Sequence, residues 1–248
     1  MRKVRAAFRL VIFVAATLTI YSFWFITHFF IPNKIYWRQI IFGAWTASFV
    51  RISHMRVEVI GTPPKAPFFL VTNHLGYADI GAIRAVAKGV FVAKSEVLSW
   101  FLAGRICRDM GTIFIDRANR RDIPRAGEEI IERIDAGEGV IVFPEGTSTK
   151  GEQVLPFNSS FLEFAARSGL PVSYAAITYR TPEGEMPASL VACWWEDITF
   201  FAHLWRLFTV REYTAVISFG DEPVKNTKRK ILASELHRRV EEKFIPVL

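Results

Sequence analysis

Of the five histidines in the chain, His74 stands in the context best suited to chemistry. It follows an apolar run, Phe68 to Thr72, and Asn73, and precedes Gly76 and then Asp79, where a helical segment opens. The junction between a strand end and a helix is where α/β folds carry reactive groups. Residues five apart on an ideal helix are about 140° out of phase. His74 and Asp79 therefore meet only if Leu75-Gly76-Tyr77-Ala78 turns, and Gly76 is expected to permit that turn. An Asp accepting one imidazole N–H fixes the tautomer and stabilises the imidazolium, leaving the other nitrogen to take a proton from a hydroxyl.

The other histidines fit bland roles. His54 has Glu58 and His237 has Glu241 four residues on, and both read as surface pairs. His28 and His203 lie among Phe, Trp and Leu, where an interfacial or satisfied core role is expected. Three further segments end apolar runs in polar groups: Lys94 after Val90 to Ala93, Asp116-Arg117 after Thr112 to Ile115, and Glu145-Gly146-Thr147-Ser148-Thr149-Lys150 after Val140 to Pro144. Hydroxyl- and glycine-rich loops present N–H and O–H donors to anionic oxygens. Together Lys94, Arg117 and this loop suit a phosphate on one rim of a sheet. The spacing is not that of a P-loop, and there is no GxSxG elbow. With a His/Asp pair and no partnered nucleophile, the simplest chemistry is direct attack by an external alcohol on an activated acyl group. Cys107 and Cys193 are far apart with no CxxC or Cys/His cluster, so neither a disulfide framework nor a zinc site is expected, and two buried thiols fit a reducing compartment.

The elements that must hold these groups alternate. Short β-rich runs (Val57 to Ile60, Phe68 to Thr72, Val90 to Ala93, Thr112 to Ile115, Val140 to Phe143, Val172 to Thr178, Tyr213 to Phe219) are separated by helical segments over Ile80 to Ala87, Glu96 to Arg108, Ile123 to Ala136, Ser159 to Ser168 and Thr227 to Phe244. This pattern predicts an α/β fold with a mixed, largely parallel sheet flanked by helices. Residues 54 to 248 would form that domain.

Residues 1 to 53 read differently. Leu10 to Asn33 hold 24 residues without Asp, Glu, Lys or Arg, after Arg2, Lys3, Arg5 and Arg9. That run is long enough to span a bilayer. A single span under the positive-inside rule would send the remaining chain outward. Pro32-Asn33 and the shorter apolar segment Gln39 to Val50 instead suggest a two-helix hairpin that enters one leaflet and returns, leaving the domain cytoplasmic. Arg and Lys would lie at headgroup level, with Trp24, Tyr36, Trp37 and Trp45 as interface anchors. The charge agrees: of 31 Lys+Arg, seven lie in residues 1 to 53, which lack acids, and the other 24 balance the 24 Asp+Glu downstream. A net +7 gathered beside so much apolar surface fits an anionic membrane rather than nucleic acid.

Asn73 to Asp79 resembles the His-x4-Asp motif of the glycerolipid acyltransferases, particularly the 1-acylglycerol-3-phosphate acyltransferases. Phe114-Ile115-Asp116-Arg117 resembles their second motif, Phe143-Pro144-Glu145-Gly146-Thr147 their third and Leu170-Pro171-Val172 their fourth. The resemblance implies that His74 acts as general base with Asp79 orienting it, while the sn-2 hydroxyl of 1-acylglycerol-3-phosphate attacks an acyl-carrier-protein or coenzyme A thioester to form phosphatidic acid. No bound cofactor or metal is implied. Lys94, Arg117, Glu145, Gly146 and Thr147 would position the acceptor and its phosphate, and Pro171 would shape the acyl-side wall. A monotopic inner-membrane enzyme with its catalytic domain in the cytoplasm is expected, its partners being membrane lipids, the lysophospholipid acceptor and the acyl donor. Ser148 stands where many members carry Arg, Gly76 where Ser is common and Phe101 where Pro is common. Leu155 to Ser160 resembles a segment of bacterial relatives that acylate lyso-ornithine lipid, which keeps that acceptor, or another lysolipid, as an alternative. A non-catalytic membrane-surface binding protein is the alternative of another class.

Overall fold

The computed structural model describes residues 1–116 and 122–247. Two helices come first, α1 (Arg2–Thr27) and α2 (Lys34–Ser53), followed by β1 (Met55–Ile60), β2 (Phe68–Thr72), α3 (Ala78–Val86) and β3 (Gly89–Lys94). Next come α4 (Ala103–Asp109), β4 (Ile113–Ile115), α5 (Asp122–Asp135), β5 (Gly139–Val142), α6 (Glu163–Ser168) and β6 (Val172–Arg180). Short α7 (Ala188–Val191), then α8 (Phe200–Thr209), β7 (Tyr213–Phe219) and α9 (Arg229–Lys243) complete the described chain. The segments read as single helices over Glu96 to Arg108 and Ser159 to Ser168 each begin as a 3-10 turn, at Ser95–Ser99 and Ser159–Leu162. Helix α8 was not expected from the sequence: Thr199 caps it by accepting from Ala202 N, but a lone threonine before a run of Phe, Leu and Trp residues did not mark a helix start.

Among the described residues the strands form one seven-stranded sheet in the order β1-β7-β6-β2-β5-β3-β4. All neighbouring pairs are parallel except β6 with β7. This is the mixed, largely parallel sheet expected. Its central strand β2 is buried along its whole length, as a strand covered on both faces must be. One consequence matters for function: β2, β3, β4, β5 and β6 run the same way, so their C-terminal ends share one edge.

The N-terminal helices pack against each other and onto the sheet domain. Phe13, Ile41, Phe42 and Phe49 are buried in the same core cluster as Leu70, Ile83 and Phe208. Each such side chain stabilises the docking by ~1.5–3 kcal/mol. Several of the basic residues expected at lipid headgroups are directed at protein, while Lys3 and Arg51 are exposed. Arg9 donates to the carbonyls of Val210 (2.6 Å) and Arg211 (2.9 Å), and Arg5 donates to Thr209 O at the end of α8. These carbonyls lack helical partners, and a guanidinium fork satisfies several at once. Arg38, buried, pairs with buried Glu138 at 2.6 Å. The indoles are also spent differently from expectation: Trp45 and Trp37 of α2 donate to Thr17 and Thr27 of α1, each at 3.0 Å. Trp24 stacks on His28, whereas Tyr36 is exposed.

The outer face of α1 remains uncovered. Val4, Phe8, Val11, Leu18 and Phe25 are exposed in steps of three, four and seven residues, which makes one helical stripe, and Phe29 is exposed in the turn beyond it. By length and composition α1 could cross a membrane.

Candidate active site

The shared C-terminal edge of the parallel strands gathers the motif residues. At the end of β2 the chain leaves the sheet, and the side chain of Asn73 continues the ladder in place of backbone. Its Nδ2 donates to Ile177 O (2.9 Å) and its Oδ1 accepts from Ile177 N (2.8 Å), two residues beyond the Thr72–Ala175 pair of β2 and β6. His74 is released at that point. Its Nδ1 lies 2.8 Å from Asp79 Oδ2, with the ring 22% and the carboxylate 0% exposed. A carboxylate accepts only, so Nδ1 is the donor. Among the described residues Nε2 has no hydrogen-bond partner, and it is the nitrogen left to act as a base.

Asp79 is held from every side. Oδ2 also accepts from the backbone N–H groups of Leu75 (2.7 Å) and Gly76 (3.1 Å), and Oδ1 accepts from Tyr179 Oη at 2.7 Å. Asp79 sits in the first turn of α3, where the helix dipole favours negative charge. The loop from His74 to Asp79 is thus closed by the carboxylate itself. Gly76 serves another purpose than the expected one: its φ is not positive, and an added Cβ would lie 3.1 Å from Ala192 O and Trp194 N. The missing side chain admits the 192–194 backbone, where Trp194 N donates to Leu75 O at 2.7 Å.

Beside β2, strand β5 supplies the loop that grips His74. Glu145 Oε1 accepts from His74 N (2.7 Å) and its Oε2 from Leu155 N (3.0 Å). The His74 carbonyl accepts from Thr149 N at 3.0 Å. Burial pushes the Glu145 carboxyl up to about 7, against the lowering effect of its two backbone donors. The resemblance implied that Glu145 meets the acceptor, whereas both its oxygens are committed to backbone and it fixes the position of His74. Gly146 is buried with φ +76°, a conformation that favours glycine, so its role is to turn the loop. Thr147 is exposed on the loop, while Ser148 Oγ donates to Trp194 O. Phe143 stacks on the His74 ring at 4.1 Å between centroids, and Phe91 stacks on Phe143 at 6.0 Å.

Lys94, exposed at the end of β3, lies two strands from β2 on the same edge, about 10 Å away laterally. Arg117 lies outside the described residues. Pro171 is not brought to this site. It precedes Val172, which pairs with Phe69 at the start of β2, so it occupies the opposite edge of the sheet, about 20 Å from His74. As a wall of this site it is excluded by the parallel register of β6 and β2.

Sequence reasoning missed Tyr179, Phe143 as a ring platform, the ladder role of Asn73 and the Trp194 contact. Tyr179 lies 100 residues from Asp79, and it is one of two buried phenols in its strand, with Tyr174. His203 is the satisfied core histidine expected: Nδ1 is 2.9 Å from Tyr77 Oη, Nε2 is 2.9 Å from Cys193 O, and burial lowers it to about 4. His237 lies 3.9 Å from Glu241, while His54 caps α2 and its expected partner Glu58 pairs with Arg180 instead. Cys193 is buried and Cys107 half-buried. The described residues bring no three His, Cys, Asp or Glu together as metal ligands.

Comparison with known proteins agrees with this geometry. The chain is 36% identical over 176 residues to a lyso-ornithine lipid O-acyltransferase from Rhodobacter capsulatus, covering 68% of this chain and 62% of that one. It is 28% identical over 241 residues to one from Brucella abortus, covering 92% and 89%. It is also 31% identical over 163 residues to a 1-acyl-sn-glycerol-3-phosphate acyltransferase from Neisseria gonorrhoeae, covering 64% and 63%. The first-matched relatives are thus spanned over about three fifths of their length. The fold is that of the crystal structure of the 1-acyl-sn-glycerophosphate acyltransferase from Thermotoga maritima, with a TM-score of 0.65 at 24% identity over 98% of this chain and 97% of that one. Residues 55–178, from β1 to the middle of β6 and including the His74 loop and the loop that grips it, match the family profile described as Acyltransferase, and the chain belongs to that family.

Proposed function

We propose that the protein transfers a fatty acyl group from an acyl thioester to the hydroxyl of a membrane lysolipid. The observation that carries this reading is His74, partly exposed at the end of β2 with Nδ1 fixed on Asp79 and Nε2 without a partner among the described residues. Nε2 takes the hydroxyl proton as the alkoxide oxygen bonds to the thioester carbonyl carbon. The tetrahedral intermediate then expels the thiolate, and the imidazolium returns its proton to sulfur. Asp79 stabilises the imidazolium between these transfers. The donor is coenzyme A or an acyl-carrier protein, and the site faces the cytoplasmic side of the inner membrane.

Lyso-ornithine lipid is the favoured acceptor. Relatives named for that acceptor match at 36% and 33% identity, and another matches along nearly the whole chain. Ser148 stands where the resembling family often carries Arg, which takes one phosphate-binding charge from the loop. Lysophosphatidic acid is the second reading, supported by Lys94 on the same rim and by the 31% identical relatives. Labelled acyl donor is to be offered with each acceptor separately. Product from lyso-ornithine lipid supports the first reading, product from lysophosphatidic acid alone reverses the order, and product from neither removes the function. His74→Ala losing no function would favour the non-catalytic binding protein instead.

A further inference from the structure

A second apolar surface lies beside the active-site rim. Phe101 is 97% exposed, Phe201 is 68% exposed, and Trp100 and Leu102 are partly so. A tight turn presents them: Leu102 holds φ +58°, outside the usual range for a bulky residue, and Trp100 O accepts from Gly104 N at 2.9 Å. Trp100 packs on Trp194 (6.0 Å) and Phe200 (6.1 Å), which joins the turn to Phe201 at the start of α8. Through Trp194 N–H the surface reaches Leu75 O, next to His74.

We propose that Trp100, Phe101, Leu102 and Phe201 form a membrane contact that seats the active-site rim on the bilayer, separately from α1. Continuity with α1 names the occupant. Helix α4 runs along α1 in the opposite sense, with Asp109 accepting from Tyr21 Oη at 2.6 Å and Arg105 over the Phe25 ring at 5.9 Å. That pairing sets the α4 side of the turn beside the C-terminal half of α1, where Phe25 and Ile26 are exposed. The segment from Lys94 to Asp109 carries Lys94, Arg105 and Arg108 against Glu96 and Asp109, with Arg105 3.9 Å from Asp109, and its small positive balance does not oppose anionic lipid. Trp and Phe are side chains that settle at the bilayer interface. The proposal rests on the lysolipid reading, since an acceptor held in a bilayer requires the rim to meet it there.

The full chain carrying Phe101→Cys, labelled with an environment-sensitive fluorophore, is to be reconstituted in vesicles of phosphatidylcholine and phosphatidylglycerol. Unsubstituted chain reports background labelling, and Phe25→Cys reports α1. Quenching at position 101 by nitroxide-bearing lipids is expected. Quenching by aqueous iodide at 101, with position 25 still quenched by lipid, overturns the proposal. So does a spectral shift seen only with acyl-carrier protein or only with rising protein concentration, either of which assigns the surface to a protein partner. As a second arm, Phe101→Asp with Phe201→Asp is expected to raise KM for vesicle-borne lysolipid about tenfold, leaving kcat/KM for a short-chain, freely dissolved lysolipid unchanged. Equal losses on both acceptors overturn it and make the surface part of the substrate site. If 101 is quenched by lipid while unsubstituted protein acylates neither acceptor, the contact stands and the lysolipid reading falls.

Discussion

The sheet carries a buried ionic cluster at each of two edges, and the clusters do opposite work. At the C-terminal edge Asp79 accepts from three protein donors besides His74, and His74 keeps one nitrogen uncommitted. At the N-terminal edge Glu138, just before β5, pairs with Arg38 and, at 3.5 Å, Arg133, and accepts from Gln39. Arg84 reaches Gln39 from α3, and burial lowers it to about 10. Arg38, Glu138 and Gln39 bind one another, while Arg84 lays its guanidinium over the Phe42 ring (4.9 Å) with Nε and Nη1 buried and unpaired, and the product is a clamp between α2 and the sheet. Burial and ion pairing are common to both ends. What marks the C-terminal cluster is an imidazole nitrogen left uncommitted at a partly open rim, where the unpaired nitrogens of Arg84 are sealed in the interior.

The largest test of that contrast is His74→Ala, expected to cost ~10²–10⁴ in kcat with the fold unchanged by circular dichroism. Glu138→Ala is expected to do the reverse. It strands Arg38 in the interior, so thermal or denaturant unfolding should show a loss of ~3–5 kcal/mol, while the folded fraction keeps its kcat. A comparable loss of kcat in that variant would mean that the two clusters are not separable. Tyr179→Phe is smaller. It removes one donor from Asp79, and steady-state kinetics should show kcat falling about tenfold with KM little changed.

The smallest effect concerns pH. The folded Glu145 carboxyl is raised from 4.5 to about 7, so the folded state binds the proton more tightly than the unfolded chain does. Its contribution is complete below pH 4.5 and is lost as pH rises through 7. Melting curves of the unsubstituted protein and Glu145→Gln should therefore diverge across that window, with the variant gaining relative stability as pH rises, and run parallel above it. A constant offset at all pH values would contradict the burial of this carboxyl.

What could be read in advance was local. Phe68 to Thr72 and Tyr213 to Phe219 coincide with β2 and β7, because a continuous apolar run bounded by turn residues has few other uses. His74 and Asp79 were legible as a pair because five residues separate them. Tyr179 was not, since nothing in its strand, which also holds Tyr174, tells which of the two hydroxyls will meet a distant carboxylate. Basic residues near an apolar helix suggested lipid headgroups, yet Arg5, Arg9 and Arg38 turn inward, because their partners are backbone carbonyls and one glutamate 100 or more residues away. Pro171 was placed by motif order alone, and motif order does not tell which edge of a sheet a strand start occupies.

The Arg9 clamp on the end of α8 also sets a schedule. Its carbonyl partner at Arg211 is 202 residues downstream. At a synthesis rate of about 5–20 residues per second, that partner follows roughly 10–40 s after Arg9. For that interval α1 exists without the surface it will finally clasp, with an apolar stripe on one side and uncompensated guanidinium groups on the other. Neither side of such a nascent helix is covered by its own domain until the end of α8 has been made.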